Sequence, residues 1–329
     1  MLNMKLNSKI YIAGHRGLVG SALMRQLETK GYTNIISRTH AQLDLCDQVS
    51  VANFFKKENP EFVILAAAKS GGIHANNTYP ADFILENLAI QTNVIHQSYL
   101  FGVKRLLFLG SSCIYPRDCD QPIKEEYLLM GKLEATNRPY ALAKIVGIEM
   151  CWSYNRQFGT KYLAVMPTNL YGIGDNYHSE NSHVIPALIR KFHDAKINNE
   201  PNVYVWGSGT PRREFLFSDD MAEACLFIMN LSDELFNSML ASDRNDGLPP
   251  LLNISQGTDV SIAELAALIK EVVNYQGGIL FDKSKPDGVS RKLMDPSRLN
   301  TLGWRDIVDL KSGIKIAYED FEKSEKLRM

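Results

Sequence analysis

The sequence predicts an α/β protein whose core is a parallel sheet covered by helices on both faces, with a smaller second part behind it. Three observations predict this. Short, nearly continuous apolar runs alternate with helical segments through the first half, and runs of that kind are strands buried on both sides. The first run leads directly into Gly14-His15-Arg16-Gly17-Leu18-Val19-Gly20 and then a helix, the setting in which a glycine triplet cradles a phosphate. After about Gly172 the alternation breaks and the loops lengthen.

Taken in order, Lys9–Ala13 is a buried strand, Leu18–Lys30 a helix stopped by Gly31, and Asn34–Ser37 a second strand. Val49–Lys57 is a helix, Phe62–Ala67 a third strand, and Pro80–Tyr99 a long helix that feeds the strand Arg105–Leu109. Tyr140–Phe158 is a helix and Lys161–Met166 a fifth strand. This is the rhythm of a Rossmann-type, doubly wound parallel sheet. Arg213–Asn230 reads as a strand and helix that return to that sheet, and Asn237–Pro250 as an exposed Gly/Pro-punctuated loop. The expected division is therefore residues 1–172, with 213–230 returning to them, as a dinucleotide-binding domain. The remainder of 173–329 forms a smaller C-terminal substrate-binding domain.

Composition narrows the partners. Of 329 residues 45% are apolar and 22% charged, a balance that buries a core without covalent staples. A formal net charge of −1 with no long basic block argues against nucleic acid or an anionic membrane as partner. Cys46, Cys113, Cys119, Cys151 and Cys225 are an odd set without metal-ligand spacing, so free thiols in the cytoplasm are expected and no metal. The first residues lack the apolar stretch of a signal peptide, and no run of about 18 apolar residues predicts a membrane span.

In the glycine loop, Gly14, Gly17 and Gly20 allow a tight turn and the close approach of a pyrophosphate to a helix N-terminus. The end of the second strand selects the dinucleotide. NAD sites place a carboxylate there for the ribose 2′-hydroxyl, whereas here the segment reads Ser37-Arg38-Thr39-His40. Arg16 and Arg38 are suited to forked bonds with a 2′-phosphate, and Asp44-Leu45 follow at a spacing that reaches the adenine end. NADP(H) is the expected cofactor.

Tyr140 and Lys144 stand four residues apart on one helix face. An ammonium there is expected to stabilise the phenolate, letting the tyrosine give its proton to a carbonyl oxygen as hydride reaches the carbon. Ser111, just past the fourth strand, sits at the C-terminal sheet edge where ligands of such sheets bind.

These residues resemble the extended short-chain dehydrogenase/reductases, and among them the branch that epimerises and reduces a GDP-keto-sugar. The resemblance runs along nearly the whole chain. It rests on the glycine loop and on Ala67-Ala68-Lys69-Ser70-Gly71-Gly72-Ile73-His74-Ala75-Asn76, Gly110-Ser111-Ser112-Cys113-Ile114-Tyr115-Pro116 and Pro167-Thr168-Asn169-Leu170-Tyr171-Gly172. Asn181-Ser182-His183-Val184-Ile185-Pro186-Ala187 and Trp206-Gly207-Ser208-Gly209-Thr210-Pro211-Arg212-Arg213-Glu214-Phe215 carry it into the second half. It implies NADPH-dependent 3,5-epimerisation and 4-reduction of GDP-4-keto-6-deoxy-D-mannose to GDP-L-fucose by a homodimer. Ser111, Tyr140 and Lys144 would then carry the reduction, and Cys113 and His183 the epimerisations.

The chemistry suits these types, because a 4-ketone acidifies the hydrogens on C3 and C5, and a thiolate and an imidazole both move protons near neutral pH. The resemblance also sets His15, Leu18, Val19, His40, Leu109, Gly110, Ser112, Pro167, Thr168, Asn169, Leu170 and His183 against the cofactor. Lys191, Trp206, Arg213, Asp287 and Lys292 would hold the GDP-sugar. A departure is His40, where the family often has a second basic residue. Other readings are a nucleotide-sugar 4-epimerase, which would be expected to carry the missing carboxylate, and a 4,6-dehydratase, which would be expected to show acidic residues where Cys113-Ile114 stand. From another class comes a non-catalytic dinucleotide sensor, against which the intact Ser111, Tyr140 and Lys144 argue.

Overall fold

The computed structural model describes residues 4–178, 182–240, 249–285 and 287–326. The first half runs β1 (Ile10–Ala13), α1 (Leu18–Thr29), β2 (Ile35–Ile36), α2 (Gln48–Glu58), β3 (Phe62–Leu65), α3 (Ile73–Thr78), α4 (Pro80–Leu100), β4 (Arg105–Leu109), α5 (Arg138–Phe158) and β5 (Tyr162–Pro167). Then follow β6 (Asn169–Tyr171), α6 (Val184–Ile197), β7 (Asn202–Trp206), β8 (Arg212–Arg213), β9 (Phe215–Phe217), α7 (Ser218–Asn230) and α8 (Asp233–Leu240). The chain closes with β10 (Leu251–Ile254), β11 (Val260–Ser261), α9 (Ile262–Val273), β12 (Gly278–Asp282), β13 (Arg291–Lys292), α10 (Ser297–Thr301) and α11 (Leu310–Lys326).

Six strands form one parallel sheet in the order β10-β5-β4-β3-β1-β2. Strand side chains alternate between two cores, as the period of two requires. Ile10, Ile12, Ile64, Leu107, Leu163 and Val165 face α1 and α7. Tyr11, Val63, Leu65, Leu106, Phe108 and Ala164 face α2, α4 and α5. With both faces covered, every residue of β1, β3 and β4 is buried, which is why these strands read as apolar runs broken only by Arg105. The doubly wound α/β class is thus borne out, and the expected helices match to within two residues at each end.

Helix ends have local causes. The Asp47 carboxylate accepts from Val49 N–H to start α2, and α5 stops at Gly159, whose φ of +68° is a left-handed cap. A capping box of Ser261 and Glu264 starts α9.

The second half forms a third core around Ile189, Phe192, Leu265, Ile269 and Phe321, with β11-β8-β13 and β12-β7 as small sheets. Two segments depart from the sequence division. Leu251–Ile254, inside the stretch assigned to the second domain, pairs parallel with β5 as the sheet's sixth strand. Three apolar residues and Asn253 beside a polar loop carry no period that marks them. Asn237–Leu240, expected as loop, ends α8, whose Phe236 and Met239 are buried; of that expected loop, 241–248 lie outside the described residues. From the segment 213–230, expected as a strand and helix returning to the sheet, β9 pairs instead with β6 in a sheet of two strands, while α7 lies on α1, tied by Arg25 to Asp219 at 2.7 Å and Lys30 to Glu223 at 2.9 Å.

Candidate active site

The sheet order turns between β1 and β3, and a cleft of about 1580 Å³ opens there at the C-terminal ends of the strands. Gly14, Arg16, Gly17, Leu18, Val19 and Gly20 line it; His15 does not. Gly14 has φ +87°, and a Cβ would press on the Ala67 backbone at 2.6 Å. A Cβ at Gly20 would collide with the Gly14 carbonyl, so no larger residue lets α1 start this close to the turn. No side chain caps α1, and its first turn holds no acid. The positive helix end therefore faces the cleft bare.

Arg38, His40, Asp44 and Leu45 continue the wall. Arg38 is already engaged: it donates to Glu58 and to the Ser37 carbonyl, both at 2.7 Å, and lies 5.5 Å over Phe54. His40 is largely exposed, with Nδ1 3.9 Å from Asp44. The glycine cradle, the uncapped helix and two guanidiniums fit a dinucleotide bearing a 2′-phosphate.

Leu109, Gly110, Ser111, Ser112, Cys113, Tyr140, Lys144, Pro167, Thr168, Asn169 and Leu170 line the middle of the cleft. Burial raises the Tyr140 phenol above its usual 10.0, with the nearby Cys113 adding to this and a hydrogen bond with Ser111 opposing it. Lys144 is buried, donates to the Leu109 carbonyl at 2.7 Å, and its ammonium lies 5.8 Å from the Tyr140 ring centre. Burial lowers its pKa from 10.5 to about 7. The expected stabilisation of a phenolate by Lys144 is therefore reversed: burial dominates both groups, holding the phenol protonated and weakening the ammonium's hold on its proton.

Cys113 Sγ receives two donors, Asn137 Nδ2 at 3.3 Å and Lys292 Nζ at 4.0 Å. His183 starts α6 without capping it by side chain and lines the cleft. Its ring is exposed toward the cleft but walled by protein, which pulls its pKa below 6.5.

The substrate-side residues divide. Arg213, Asp287 and Lys292 line the cleft. Asp287 accepts from the Ser208 backbone at 2.9 Å and hydroxyl at 2.7 Å, holding the turn after β7. Lys191 and Trp206 are not on the cleft wall. They meet each other instead, the Lys191 ammonium 4.9 Å and the Lys285 ammonium 5.5 Å from the ring centre of a 61% exposed Trp206. Asn181, within a string quoted above, and Pro286, beside Asp287, lie outside the described residues.

Sequence reasoning assigned no role to four further residues of the wall. Asn76 Oδ1, Asn137 Oδ1, Asp175 Oδ2 and Ser182 Oγ are buried polar atoms without hydrogen-bond partners, and all four residues line this cleft. Burial pushes Asp175 up to about 7. Buried groups left unpaired by the chain are matched by ligands or water. Only the quoted strings containing Asn76 and Ser182 signalled any of them.

The model of the NAD dependent epimerase/dehydratase family matches residues 10–238. GDP-L-fucose synthase 1 of Arabidopsis thaliana is 54% identical over 318 residues, 97% of this chain and 94% of its own. GDP-L-fucose synthase of Escherichia coli (strain K12) is 51% identical over 321 residues, 97% of this chain and 98% of its own. A GDP-D-glycero-L-gluco-heptose synthase from Campylobacter jejuni, solved in the presence of NADPH, superposes with a TM-score of 0.90 at 40% identity, covering 97% of this chain and 100% of that one.

Proposed function

The chain belongs to the NAD dependent epimerase/dehydratase family, and we propose that it is an NADPH-dependent enzyme that epimerises GDP-4-keto-6-deoxy-D-mannose at C3 and C5 and reduces it at C4 to GDP-L-fucose. The observation that carries this reading is identity above one half to enzymes of that activity across nearly the full length of both chains.

NADPH supplies the hydride when bound, held by the glycine cradle, the α1 N-terminus, Arg16 and Arg38. Tyr140, kept protonated by burial, gives its phenolic proton to the C4 oxygen, and the hydrogen bond with Ser111 orients it. Lys144 bridges the tyrosine and the strand end. Before reduction, Cys113 takes the proton from the carbon beside the ketone. The C–H bond breaks, S–H forms, and the electron pair moves onto the C4 oxygen. His183 in its protonated form returns a proton to the opposite face and is left as neutral imidazole, the form that its protein surroundings favour; removal and return on one face would restore the starting centre. Arg213 and Lys292 face the diphosphate and sugar, while Lys191 and Trp206 form a station beyond the cleft.

Homodimerisation through α4 and α5 is supported by Leu85, Leu100, Leu142 and Val146, which are 40–68% exposed on these helices. Five free thiols support a cytoplasmic location. A second reading, a GDP-keto-heptose substrate, is favoured by the closeness of the heptose synthase.

The test is to supply GDP-4-keto-6-deoxy-D-mannose with NADPH and identify the product by NMR. GDP-L-fucose with one NADPH consumed per product is expected. A product reduced at C4 without inversion would overturn the epimerase half. Turnover of a keto-heptose alone would install the second reading.

A further inference from the structure

We infer that Asn137 is a positioning residue for Cys113: its side-chain amide holds the sulfur through an N–H···S bond and offers its oxygen to a hydroxyl of the bound keto-sugar. The inference rests on the reading of Cys113 as the epimerising base.

Asn137 is the residue at which α5 begins, a place where asparagine ordinarily caps the helix by accepting from its backbone. Here it makes no such bond. The side chain is turned into the cleft, with Nδ2 3.3 Å from Cys113 Sγ and Oδ1 buried without a partner. The backbone beneath it is pinned. The Glu134 carboxylate accepts from Thr136 N–H at 2.8 Å, from the Thr136 hydroxyl, and from Asn137 N–H at 3.2 Å. The Asn137 carbonyl accepts from Ala141 N–H at 3.0 Å. Three residues on stands Tyr140, so one helix start presents both the amide and the phenol to the cleft.

Cys113 is fixed from its own side, its N–H donating to Ser111 Oγ at 3.2 Å. The sulfur thus lies between an amide from α5 and the Lys292 ammonium from β13. An amide hydrogen pointed at the sulfur is a directed contact that fixes where its lone pairs face. With the nitrogen committed to sulfur, the amide oxygen points elsewhere and needs a donor. Tyr140 is committed to the carbonyl oxygen in the proposed reduction, which leaves the sugar's hydroxyls as the donors that reach the same wall. One side chain then reads a substrate hydroxyl and aims the base at the carbon it deprotonates.

The experiment uses the full-length enzyme carrying Asn137→Ala, Asn137→Asp or Cys113→Ala. Three quantities are measured: exchange of the C3 and C5 hydrogens in heavy water without NADPH across pH, alkylation of the Cys113 peptide by iodoacetamide followed by mass spectrometry, and NADPH affinity. Loss of a hydrogen bond to a charged acceptor predicts that Asn137→Ala slows exchange about tenfold at neutral pH. Alkylation should slow in parallel. NADPH affinity should stay within about twofold, since no proposed cofactor contact is touched. Asn137→Asp, which sets a carboxylate against the sulfur, should be slower still. If Cys113→Ala loses exchange while Asn137→Ala exchanges and alkylates like the wild type, the inference fails and the base assignment stands. If Cys113→Ala exchanges like the wild type, the base assignment itself falls, and this inference with it.

Discussion

Lys144→Met is expected to make the cofactor-free protein more stable at pH 7 while ending reduction. Lys144 is 3% exposed, with the Leu109 carbonyl 2.7 Å from its nitrogen and the Phe108 ring centre at 4.7 Å. Burial takes its pKa from 10.5 to about 7. The unfolded chain keeps its proton up to pH 10.5, whereas the folded chain releases it near 7. Between those values the unfolded state binds more protons, so stability rises with pH in that window. The difference costs the fold about 4 kcal/mol at pH 7 and about 2 kcal/mol at pH 9. Methionine fills nearly the same volume without that cost and forfeits about 1 kcal/mol for the lost hydrogen bond. The variant should therefore gain about 3 kcal/mol at pH 7 and about 1 kcal/mol at pH 9. Urea unfolding of both proteins without cofactor at the two pH values measures this, and NADPH oxidation reports the lost activity. A variant less stable at pH 7, or a gap that does not narrow as pH rises, would refute the reasoning.

Two ion pairs carry the further predictions. Arg38→Ala should cut the preference for NADPH over NADH by about tenfold or more. Glu58→Gln, which releases Arg38 from its 2.7 Å pair, should widen the preference by about two- to fivefold, the scale of a partly exposed bridge. The ratio of kcat/KM for the two cofactors reads both, and an unchanged ratio in both variants excludes Arg38 as the 2′-phosphate reader. Arg105 is fully buried, donating to the Met229 and Leu231 carbonyls at 2.9 and 2.7 Å and to Asp233 at 2.7 Å, with Phe236 4.2 Å beneath it. Arg105→Met strands those carbonyls and should cost about 3 kcal/mol or more in urea unfolding; a loss below about 1 kcal/mol would show that the turn between α7 and α8 relaxes.

What the sequence discloses here follows from where information is local. The strands of the first half are visible because helices on both faces demand apolar residues at nearly every position, and the glycine loop because its turn tolerates nothing larger. Tyr140 and Lys144 are visible as neighbours on one helix. Asn137 and Cys113 are 24 residues apart, and their contact exists only once β4 and α5 are packed. The Arg38–Glu58 pair joins β2 to the end of α2 and makes the guanidinium less available than its position in the chain implies. The reversal of the Tyr140 and Lys144 electrostatics is likewise a product of burial, which no four-residue spacing encodes. Lys191 and Trp206, read as cleft residues, meet on a neighbouring surface, because β7 carries the tryptophan on its exposed side.

The placement of α7 and β10 bears on how the protein is made. Both complete the first-half sheet, yet the ribosome delivers them only after α6, β7, β8 and β9 of the other half. Until Met221, Cys225 and Met229 emerge, Leu107, Leu109 and Val165 lack the α7 half of their cover. Until Ile254 emerges, the outer edge of β5 has no neighbour. A nascent chain paused near residue 172 therefore exposes an apolar face and an open strand edge together, the combination that invites misassembly. The nucleotide-binding half cannot finish folding first and wait. It closes only when about half of the chain beyond residue 172 has been translated, so the folding of the two halves overlaps late in synthesis.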